Sequence, residues 1–384
     1  MRYVIIFIVL LSVAVSSTVI ATEKQTGTEV MQYFSENYTE ARRKFLDAAH
    51  AARADVEHFQ NPHSEPQGEP IFTDLALIGP RDANTFLVLS SGTHGVEGFT
   101  GSAIQTGLLQ AGFGELPPDT GLLFIHAINP YGFAHLRRFN EDNVDLNRNF
   151  RDHSDPYPPN PGYDELADAI SPASLSIWAN TKSTIKLFWF GLTKGRDALK
   201  KAISGGQYNH PQGLFYGGKE EAWSNKNIRT IAETYLGAAK RVVMVDFHTG
   251  LGPYGHGEVI MNEPEQSPAY DRAVTWWGDR VKNSFSGESV SIHLEATLKK
   301  GFSAMLPDAE ITAVTLEFGT VEPMQVFQAL RAENWLHHYG TIDHPKAKEI
   351  KTELLRVFYP DNDAWKQQVW HQGKEVVEQV LSHL

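Results

Sequence analysis

The feature that most constrains the fold is a series of four short, strongly apolar runs that alternate with longer stretches of helical periodicity. The runs are rich in Val, Ile, Leu and Phe, and they cover residues 85–90, 121–126, 241–247 and 311–318. Runs of this length are typical of strands buried on both faces, as in parallel sheets. Strands that alternate with helices predict an α/β fold. We therefore expect a three-layer αβα sandwich around a mostly parallel mixed sheet.

Helical stretches and one segment of different character complete the predicted organisation. The spacing of apolar residues predicts helices over 27–60, 99–109, 224–239, 322–340, 344–357 and 363–383. Residues 152–222 open with four prolines, continue through an amphipathic stretch at 173–203 and end in a Gly-rich piece. We interpret this segment as an insertion that carries one or two helices and packs near the functional site. Residues 22–384 are expected to form a single domain.

The N-terminus predicts export. Arg2 is followed by an apolar stretch over residues 3–15 and then by small residues up to Ala21. A charged start, an apolar middle and small residues before a cleavage point are typical of a secretory signal peptide, here residues 1–21. The alternative is an uncleaved membrane anchor, since the apolar run is nearly long enough to cross a bilayer. We therefore expect a periplasmic or secreted protein with no stable membrane span after cleavage.

Composition and charge exclude several kinds of site. The formal net charge of -12 and the lack of a basic stripe argue against nucleic-acid binding, because phosphate contacts require clustered Lys and Arg. The chain contains no cysteine, which excludes disulfides, thiolate metal sites and a Cys nucleophile. It also lacks a Gly-x-Ser-x-Gly motif, which argues against a serine hydrolase. Any metal site must therefore use His, Asp and Glu.

Three polar residues at strand ends have the chemistry of a zinc site. His94 and Glu97 lie three residues apart directly after an apolar run, where both side chains can converge on one point. His248 ends a second apolar run, and Asp246 could orient its ring. Two imidazoles and one carboxylate are a common donor set for catalytic zinc. The structural alternatives are a capped helix start and an ordinary hydrogen-bonded histidine, and for His126, at a similar strand end, we favour the latter.

Two further motifs contain groups suited to carboxylate binding and to proton transfer. Asn147 and Arg148 offer an amide beside a planar guanidinium, which can bind a carboxylate through two hydrogen bonds. The alternative is that these two residues belong to an ordinary polar loop and that Arg148 forms a surface salt bridge. Glu317 lies inside an apolar run, where a carboxylate costs free energy unless it is paired or functional. Beside a metal it can act as a general base, and the alternative is an edge position or a buried ion pair.

Taken together, these motifs resemble the zinc carboxypeptidase (M14) superfamily. The resemblance rests on His94-x-x-Glu97, the sequence Asp-Leu-Asn-Arg-Asn-Phe at 145–150, His248 and Glu317, in that order, and it covers about residues 70–340. Residues 205–218 and 246–252 are similar to one branch, the DUF2817 family of M14-like proteins. That branch is related to succinylglutamate desuccinylases and aspartoacylases.

The resemblance implies a role for each matched residue. Three of them would be the ligands of one zinc ion: His94, Glu97 and His248. Two would grip the free carboxylate of the substrate: Asn147 and Arg148. Arg138 would polarise the scissile carbonyl, unless its neighbour Arg137 is the true counterpart. Glu317 would be the general base.

The chain departs from the family pattern at two points. The carboxypeptidase pattern includes a Tyr upstream of the catalytic Glu, and residues 280–316 contain none, so Tyr254, Tyr216, another group or no group takes that part. The segment 152–222 lengthens the gap between the carboxylate-binding pair and the third metal ligand, and it could narrow the cleft. Both departures bear on substrate specificity, and neither touches the metal site.

We therefore predict a zinc-dependent hydrolase that cleaves an amide or peptide bond next to a free carboxylate. Glu317 would remove a proton from water and later deliver it to the leaving amine, while Arg138 would stabilise the oxyanion. The first alternative is an N-acyl amino acid deacylase of the aspartoacylase or desuccinylase type, which would use the same centre. The second is a non-catalytic zinc-binding module, which would not need Glu317. The sequence carries no signal for the oligomeric state.

Overall fold

An eight-stranded mixed sheet organises the chain in a computed structural model that describes residues 29–384. The predicted signal peptide, residues 1–21, lies outside the described residues. The strands are β1 (Asp55–Ser64), β2 (Pro70–Ile78), β3 (Thr85–Ser91), β4 (Thr120–His126), β5 (Arg241–Tyr254), β6 (Gly257–Met261), β7 (Val281–Asn283) and β8 (Glu310–Gly319). Their order across the sheet is β1-β2-β4-β3-β5-β8-β6-β7.

The four apolar runs of the sequence form the centre of this sheet, as predicted. β4, β3, β5 and β8 are consecutive neighbours and all pair in parallel. β2 and β6 flank this group in antiparallel orientation, β1 is antiparallel to β2, and β7 is parallel to β6. The prediction of a mostly parallel mixed sheet is therefore confirmed.

Helices cover both faces of the sheet. They are α1 (Tyr38–Ala51), α2 (Gly98–Ala111), α3 (Pro130–Ala134), α4 (Pro161–Ile170), α5 (Ile177–Lys194), α6 (Arg196–Ser204), α7 (Trp223–Ile231), α8 (Pro268–Trp277), α9 (Leu298–Met305), α10 (Pro323–Tyr339), α11 (Ala347–Phe358) and α12 (Asp363–Leu381). None of these helices combines the length and the apolar character that a membrane span requires.

Alternation along the central strands builds the two cores of the sandwich. Leu87 and Leu89 of β3 pack on one face, in an apolar cluster shared with α1, α2, α8 and α12. Phe86 and Val88 point to the other face and pack in a cluster shared with α7 and α9. Successive strand residues face opposite ways, so a strand that is apolar throughout supplies both cores. This arrangement confirms the predicted three-layer αβα sandwich.

The helix predicted over residues 27–60 is wrong in its second half. α1 begins after Asn37, whose side chain accepts a hydrogen bond from the Glu40 N–H, and it ends at Ala51. Arg53 adopts a left-handed backbone conformation (φ 57°), which stops the helix, and β1 follows. β1 is largely exposed, so it lacks the apolar signal that identified the central strands.

The segment 152–222 contains three helices, not one or two. α4 was not predicted, and the amphipathic stretch at 173–203 is divided into α5 and α6 at Gly195, whose φ of 96° favours glycine. β2, β6, β7, α8 and α9 were also missed, because they are short or lack a single clear periodicity. The helix predicted over 224–239 is regular only to Ile231, and a π-helical turn continues it to Leu236.

Candidate metal centre and substrate cavity

All seven predicted site residues line one cavity of about 310 Å³ at the carboxyl ends of the central strands. His94 and Glu97 lie in the turn between β3 and α2, and His248 in β5 is paired in register with Glu317 in β8. Parallel strands bring their carboxyl ends to the same edge of a sheet, which is where ligands bind in such folds. The remaining three residues reach the cavity from the segment between α3 and α4: Arg138, Asn147 and Arg148.

Three buried side chains converge as a possible metal centre. Donor atoms of His94, Glu97 and His248 all lie within 4.8 Å of one another. The Nδ1 atoms of the two histidines are 3.1 Å apart. The Glu97 carboxylate places Oε1 3.0 Å from the Nδ1 of His94 and Oε2 2.9 Å from the Nδ1 of His248. The predicted ligands therefore meet at one point.

Two aspartates hold the opposite edges of the imidazole rings. The Nε2 of His248 is 2.5 Å from Asp246 Oδ2, and the Nε2 of His94 is 3.2 Å from Asp145 Oδ1. The other oxygen of Asp246 accepts hydrogen bonds from Ser90 and Thr93. Asp246 was predicted as a positioning group, whereas Asp145 was missed, although it stands in the same motif as Asn147 and Arg148.

The orientation of these rings fits a divalent cation. When the Nε2–H of His248 donates to Asp246, the Nδ1 lone pair of His248 points at the Nδ1 of His94 and at the Glu97 carboxylate, and a shared cation would relieve the repulsion there. Two imidazole nitrogens and a carboxylate are a donor set that suits zinc. Burial acts to lower the pKa of His248, but the Asp246 and Glu97 carboxylates outweigh it and raise that pKa well above its usual value. The cluster therefore attracts positive charge.

The structure separates Arg138 from Arg137. The Arg138 guanidinium donates to Glu97 Oε1 at 2.8 Å and to Asp145 Oδ2 at 3.2 Å, and it lines the cavity. Arg137 points the other way and is buried, donating to Glu333 Oε1 and to Asn143 Oδ1 at 2.8 Å each. Of the two arginines, Arg138 is placed beside the metal centre, and Arg137 braces the scaffold.

Asn147 and Arg148 present donors to the cavity. The side-chain oxygen of Asn147 accepts a hydrogen bond from the Leu298 N–H at 2.9 Å, which leaves its amide N–H groups for a ligand. Arg148 is buried and donates to the backbone oxygens of Asn147 and Ser204. Its Nε has no hydrogen-bond partner among the described residues. A buried donor without a partner is uncommon and is consistent with a ligand site.

Glu317 has the environment of a proton acceptor. One of its carboxylate oxygens accepts a hydrogen bond from the Leu251 N–H at 3.0 Å. Burial and the neighbouring charge of Glu97 raise the pKa of Glu317 to about 7. A carboxyl with a pKa near neutrality can both accept and return a proton.

The cavity also contains residues that the sequence motifs did not reveal. Lys299, at the start of α9, lines it and is buried. Ser204 and Phe215, from the segment 152–222, line it as well, so this segment does reach the site. No linear motif marks these positions, because they are brought in by the packing of α6 and α9.

The structure locates the two tyrosines considered as substitutes for the catalytic Tyr of the carboxypeptidase pattern, and it locates His126. Tyr254 is 52% exposed at the end of β5, and Tyr216 packs in the core on the α7 face. Among the described residues, no tyrosine lines the cavity. His126 is hydrogen-bonded to Ser102 at 2.9 Å and stacks on Phe45, in keeping with the structural role favoured for it.

The chain is similar in fold to several solved structures. These include bovine thrombin-activatable fibrinolysis inhibitor in complex with tick carboxypeptidase inhibitor, at 12% identity and a TM-score of 0.49 over 91% of this chain and 97% of that one. Carboxypeptidase A from Helicoverpa armigera has 14% identity and a TM-score of 0.42 over 85% and 75%. A succinylglutamate desuccinylase from Silicibacter sp. TM1040 has 16% identity and a TM-score of 0.38 over 75% and 67%.

A family model gives the assignment that these distant similarities do not. No curated protein matches the chain. Residues 34–372 match the family described as "Protein of unknown function (DUF2817)". Since this match covers most of the 384 residues, the chain belongs to the DUF2817 family.

Proposed function

We propose that this protein is a zinc-dependent hydrolase that cleaves an amide or peptide bond next to a free carboxylate of its substrate. The observation that carries the proposal is the convergence, in one cavity, of a two-His, one-Glu donor set, a buried carboxyl and a buried arginine. Each group alone has a structural explanation, but together they form a complete site for metal-assisted hydrolysis. Export after cleavage at Ala21 is part of the same proposal.

The residues of the chain divide the reaction between them. A zinc ion held by His94, Glu97 and His248 would supply the Lewis acidity that activates water and polarises a carbonyl. Glu317 accepts a proton from the attacking water and returns it to the leaving nitrogen, so that the C–N bond breaks and the water is divided between the products. Arg138 offers N–H donors to the oxygen that gains negative charge.

The carboxylate-binding pair, here called the clamp, would determine which bond of the substrate is cleaved. Arg148 and Asn147 hold the substrate carboxylate, which fixes the scissile bond relative to Glu317. The cavity of about 310 Å³ lies at the low end of the range of ligand pockets, which favours a short substrate. For that reason an N-acyl amino acid deacylase is retained as the second candidate beside a carboxypeptidase.

The direct test measures zinc content and hydrolysis on the same protein. Residues 22–384 would be purified, analysed for metal and incubated with peptides with free C-termini and with N-acyl amino acids, with products identified by mass spectrometry. One zinc per chain and cleavage beside a free carboxylate are expected, and the products distinguish a peptidase from a deacylase. Zinc without any cleavage would favour a binding module, and failure to bind zinc would refute the proposal.

Replacing Arg148 by Ala should weaken substrate binding without loss of zinc. The guanidinium is buried, so the substrate carboxylate would enter the cavity without its partner, and we expect kcat/KM to fall roughly 10²- to 10³-fold. Steady-state kinetics on carboxylate substrates would measure this. Arg151→Ala is the matched control, because the Arg151 side chain lies outside the catalytic cavity and stacks on Tyr157. Normal cleavage of carboxylate substrates by Arg148→Ala would show that the clamp assignment is wrong.

A further inference from the structure

A buried lysine, Lys299, lies on the wall of the catalytic cavity and has no part in the reaction described above. The Lys299 side chain is buried, and its Nζ donates to the Ile260 backbone oxygen at 2.9 Å. An ammonium carries three donors, and in the part of the chain that the structure describes, Nζ has no other hydrogen-bond acceptor and no carboxylate within 4.0 Å. Lys300, by contrast, is paired with Glu295 on the surface at 2.9 Å.

Burying such a group costs free energy that a counterion would recover. Burial lowers the pKa of Lys299 to about 8, against the opposing charges of Asp246, Glu317 and Glu263. Two of these carboxylates are already engaged, Asp246 by the imidazole of His248 and Glu317 by a backbone N–H. Buried charges are retained in proteins mainly when they are paired, so an unpaired ammonium facing a cavity indicates an anionic ligand.

We propose that Lys299 binds a second carboxylate of the substrate, so that the preferred leaving group is an acidic amino acid, glutamate or aspartate. This inference rests on the proposed function. Arg148 and Asn147 would hold the α-carboxylate while Lys299 holds the side-chain carboxylate. Water adds across the C–N bond, the acyl part leaves as a carboxylic acid, and the acidic residue leaves with a free amino group. The apolar groups that share this wall, among them Ile260 and Leu294, would exclude water from the pair.

The test compares isosteric substrates that differ in one charge. N-blocked dipeptides ending in Glu or Gln would be assayed with the wild type, Lys299→Met, Lys299→Arg and the control Lys300→Met. We expect the wild type and Lys300→Met to prefer Glu by about 30-fold or more in kcat/KM. Lys299→Met should lose most of that preference, because its kcat/KM should fall much further on Glu than on Gln, and Lys299→Arg should retain part of the preference.

Three outcomes decide the matter. Equal rates of the wild type on Glu and Gln would overturn the assignment of Lys299 and leave the hydrolase intact. An equal loss on both substrates in Lys299→Met would indicate a purely structural lysine. If the wild type cleaves neither, the carboxypeptidase form of the proposed function fails, and calorimetry with glutarate and its monoamide then tests Lys299 alone. In that case the assignment stands only if the wild type prefers glutarate and Lys299→Met does not.

A separate surface is carried by α5, which has two apolar faces. One face packs inward through Leu187 and Phe190, against α4 and α6. The opposite face exposes six large apolar side chains, each between 62% and 88% accessible: Ile177, Trp178, Ile185, Phe188, Trp189 and Leu192. At 100° per residue they fall on one arc of the helix. A contiguous exposed apolar face of this kind marks an interaction site.

The chemistry of α5 favours a lipid surface over a second copy of the chain. The helix carries Lys182, Lys186 and Lys194 and no Asp or Glu, in a chain with a net charge of -12. Lys186 pairs with Asp168 of α4. At 100° per residue, Lys182 borders the apolar arc, Lys186 lies beyond it and Lys194 lies on the packed side of the helix. Two copies packed face to face would bring Lys182 of each copy toward an interface with no acidic partner on either helix, whereas lipid phosphates would neutralise it. Tryptophan is also enriched where an apolar layer meets water.

We propose that this face of α5 binds the surface of an anionic membrane, as an interfacial amphipathic helix does. The test uses residues 22–384, which include all of the described fold. Residues 1–21 are left out because their apolar run would itself enter lipid. The chain of residues 22–384 should sediment with vesicles containing phosphatidylglycerol, and less with phosphatidylcholine alone. The triple variant Trp178→Ser, Phe188→Ser, Trp189→Ser should reduce the partition coefficient about tenfold or more. A matched control, Met324→Ser with Ile342→Ser, removes exposed apolar groups elsewhere and should not.

Two results would overturn the membrane proposal. One is the absence of binding to anionic vesicles by the wild type. The other is a dimer in sedimentation velocity that dissociates in the triple variant, which would assign the face to a second copy of the chain.

Discussion

Replacing Glu317 by Gln should lower kcat/KM by about 10³-fold while leaving the zinc content unchanged. The amide has almost the same size and can still accept the hydrogen bond from the Leu251 N–H, but it cannot take a proton from water. Zinc should stay because the three-residue donor cluster does not include Glu317. The measurement is steady-state kinetics together with metal analysis of the same preparation.

The pH profile gives a second readout of the same residue. Burial and the charge of Glu97 raise the pKa of Glu317 to about 7, and a neighbouring cation would lower it again. Because a base acts in its ionised form, the wild-type rate should rise with pH along a limb below pH 7. This limb should be absent in Glu317→Gln. Glu310→Gln, at the exposed start of the same strand, is the control and should keep both rate and profile. A fully active Glu317→Gln variant would refute the general-base role.

Replacing His248 by Ala should weaken zinc binding strongly and remove most of the stability that zinc confers. Substitution of groups that only orient metal ligands already costs 10- to 100-fold in affinity, so we expect loss of a ligand to weaken zinc binding by at least about 100-fold. A ligand present at a hundred times its Kd stabilises the native state by about 2.7 kcal/mol. For a chain of this length, adding zinc to the metal-free wild type should raise Tm by roughly 3 to 4 °C. Calorimetry of the two proteins with and without zinc would measure the difference.

His126 provides the control for this experiment. It is also a buried histidine at a strand end, and it contacts Ser102 and Phe45. His126→Gln should lower Tm by disturbing packing, yet it should keep the full upward shift on adding zinc. If His248→Ala retained that shift, the metal would be bound elsewhere and the assigned ligand set would be wrong.

The centre of the fold was predictable because strands buried on both faces must be apolar along their whole length. β3, β4, β5 and β8 therefore stood out in the sequence, and alternation with helices fixed the sheet as parallel. The outer strands did not stand out in this way, because β1 is mostly exposed and β6 spans only five residues, Gly257–Met261. An exposed strand such as β1 carries no apolar pattern, and β6, although buried throughout, is too short to show one.

The residues of the candidate site likewise fall into those that the sequence pattern revealed and those that it did not. His94, Glu97, His248 and Glu317 were found because each interrupts or ends an apolar run, where a polar side chain is conspicuous. Lys299 and Asp145 were missed because their surroundings arise from packing: α9 is folded against β6, and Asp145 is turned beneath His94. The choice between Arg137 and Arg138 also required geometry, since adjacent residues cannot be separated by spacing.

The pairing of β3 with β5 sets the order in which the protein can assemble. Ser90 and Asp246 are hydrogen-bonded across this pair although 156 residues separate them in the chain. Closing so long a loop lowers the conformational entropy of the chain before the contact forms. We therefore expect the centre of the sheet to form late. His94 and Glu97 follow β3, whereas His248 belongs to β5. Before these two strands pair, neither segment contains the complete set of three ligands. Under the proposed function, zinc would therefore bind late in folding, and it would stabilise a finished sheet instead of directing its formation.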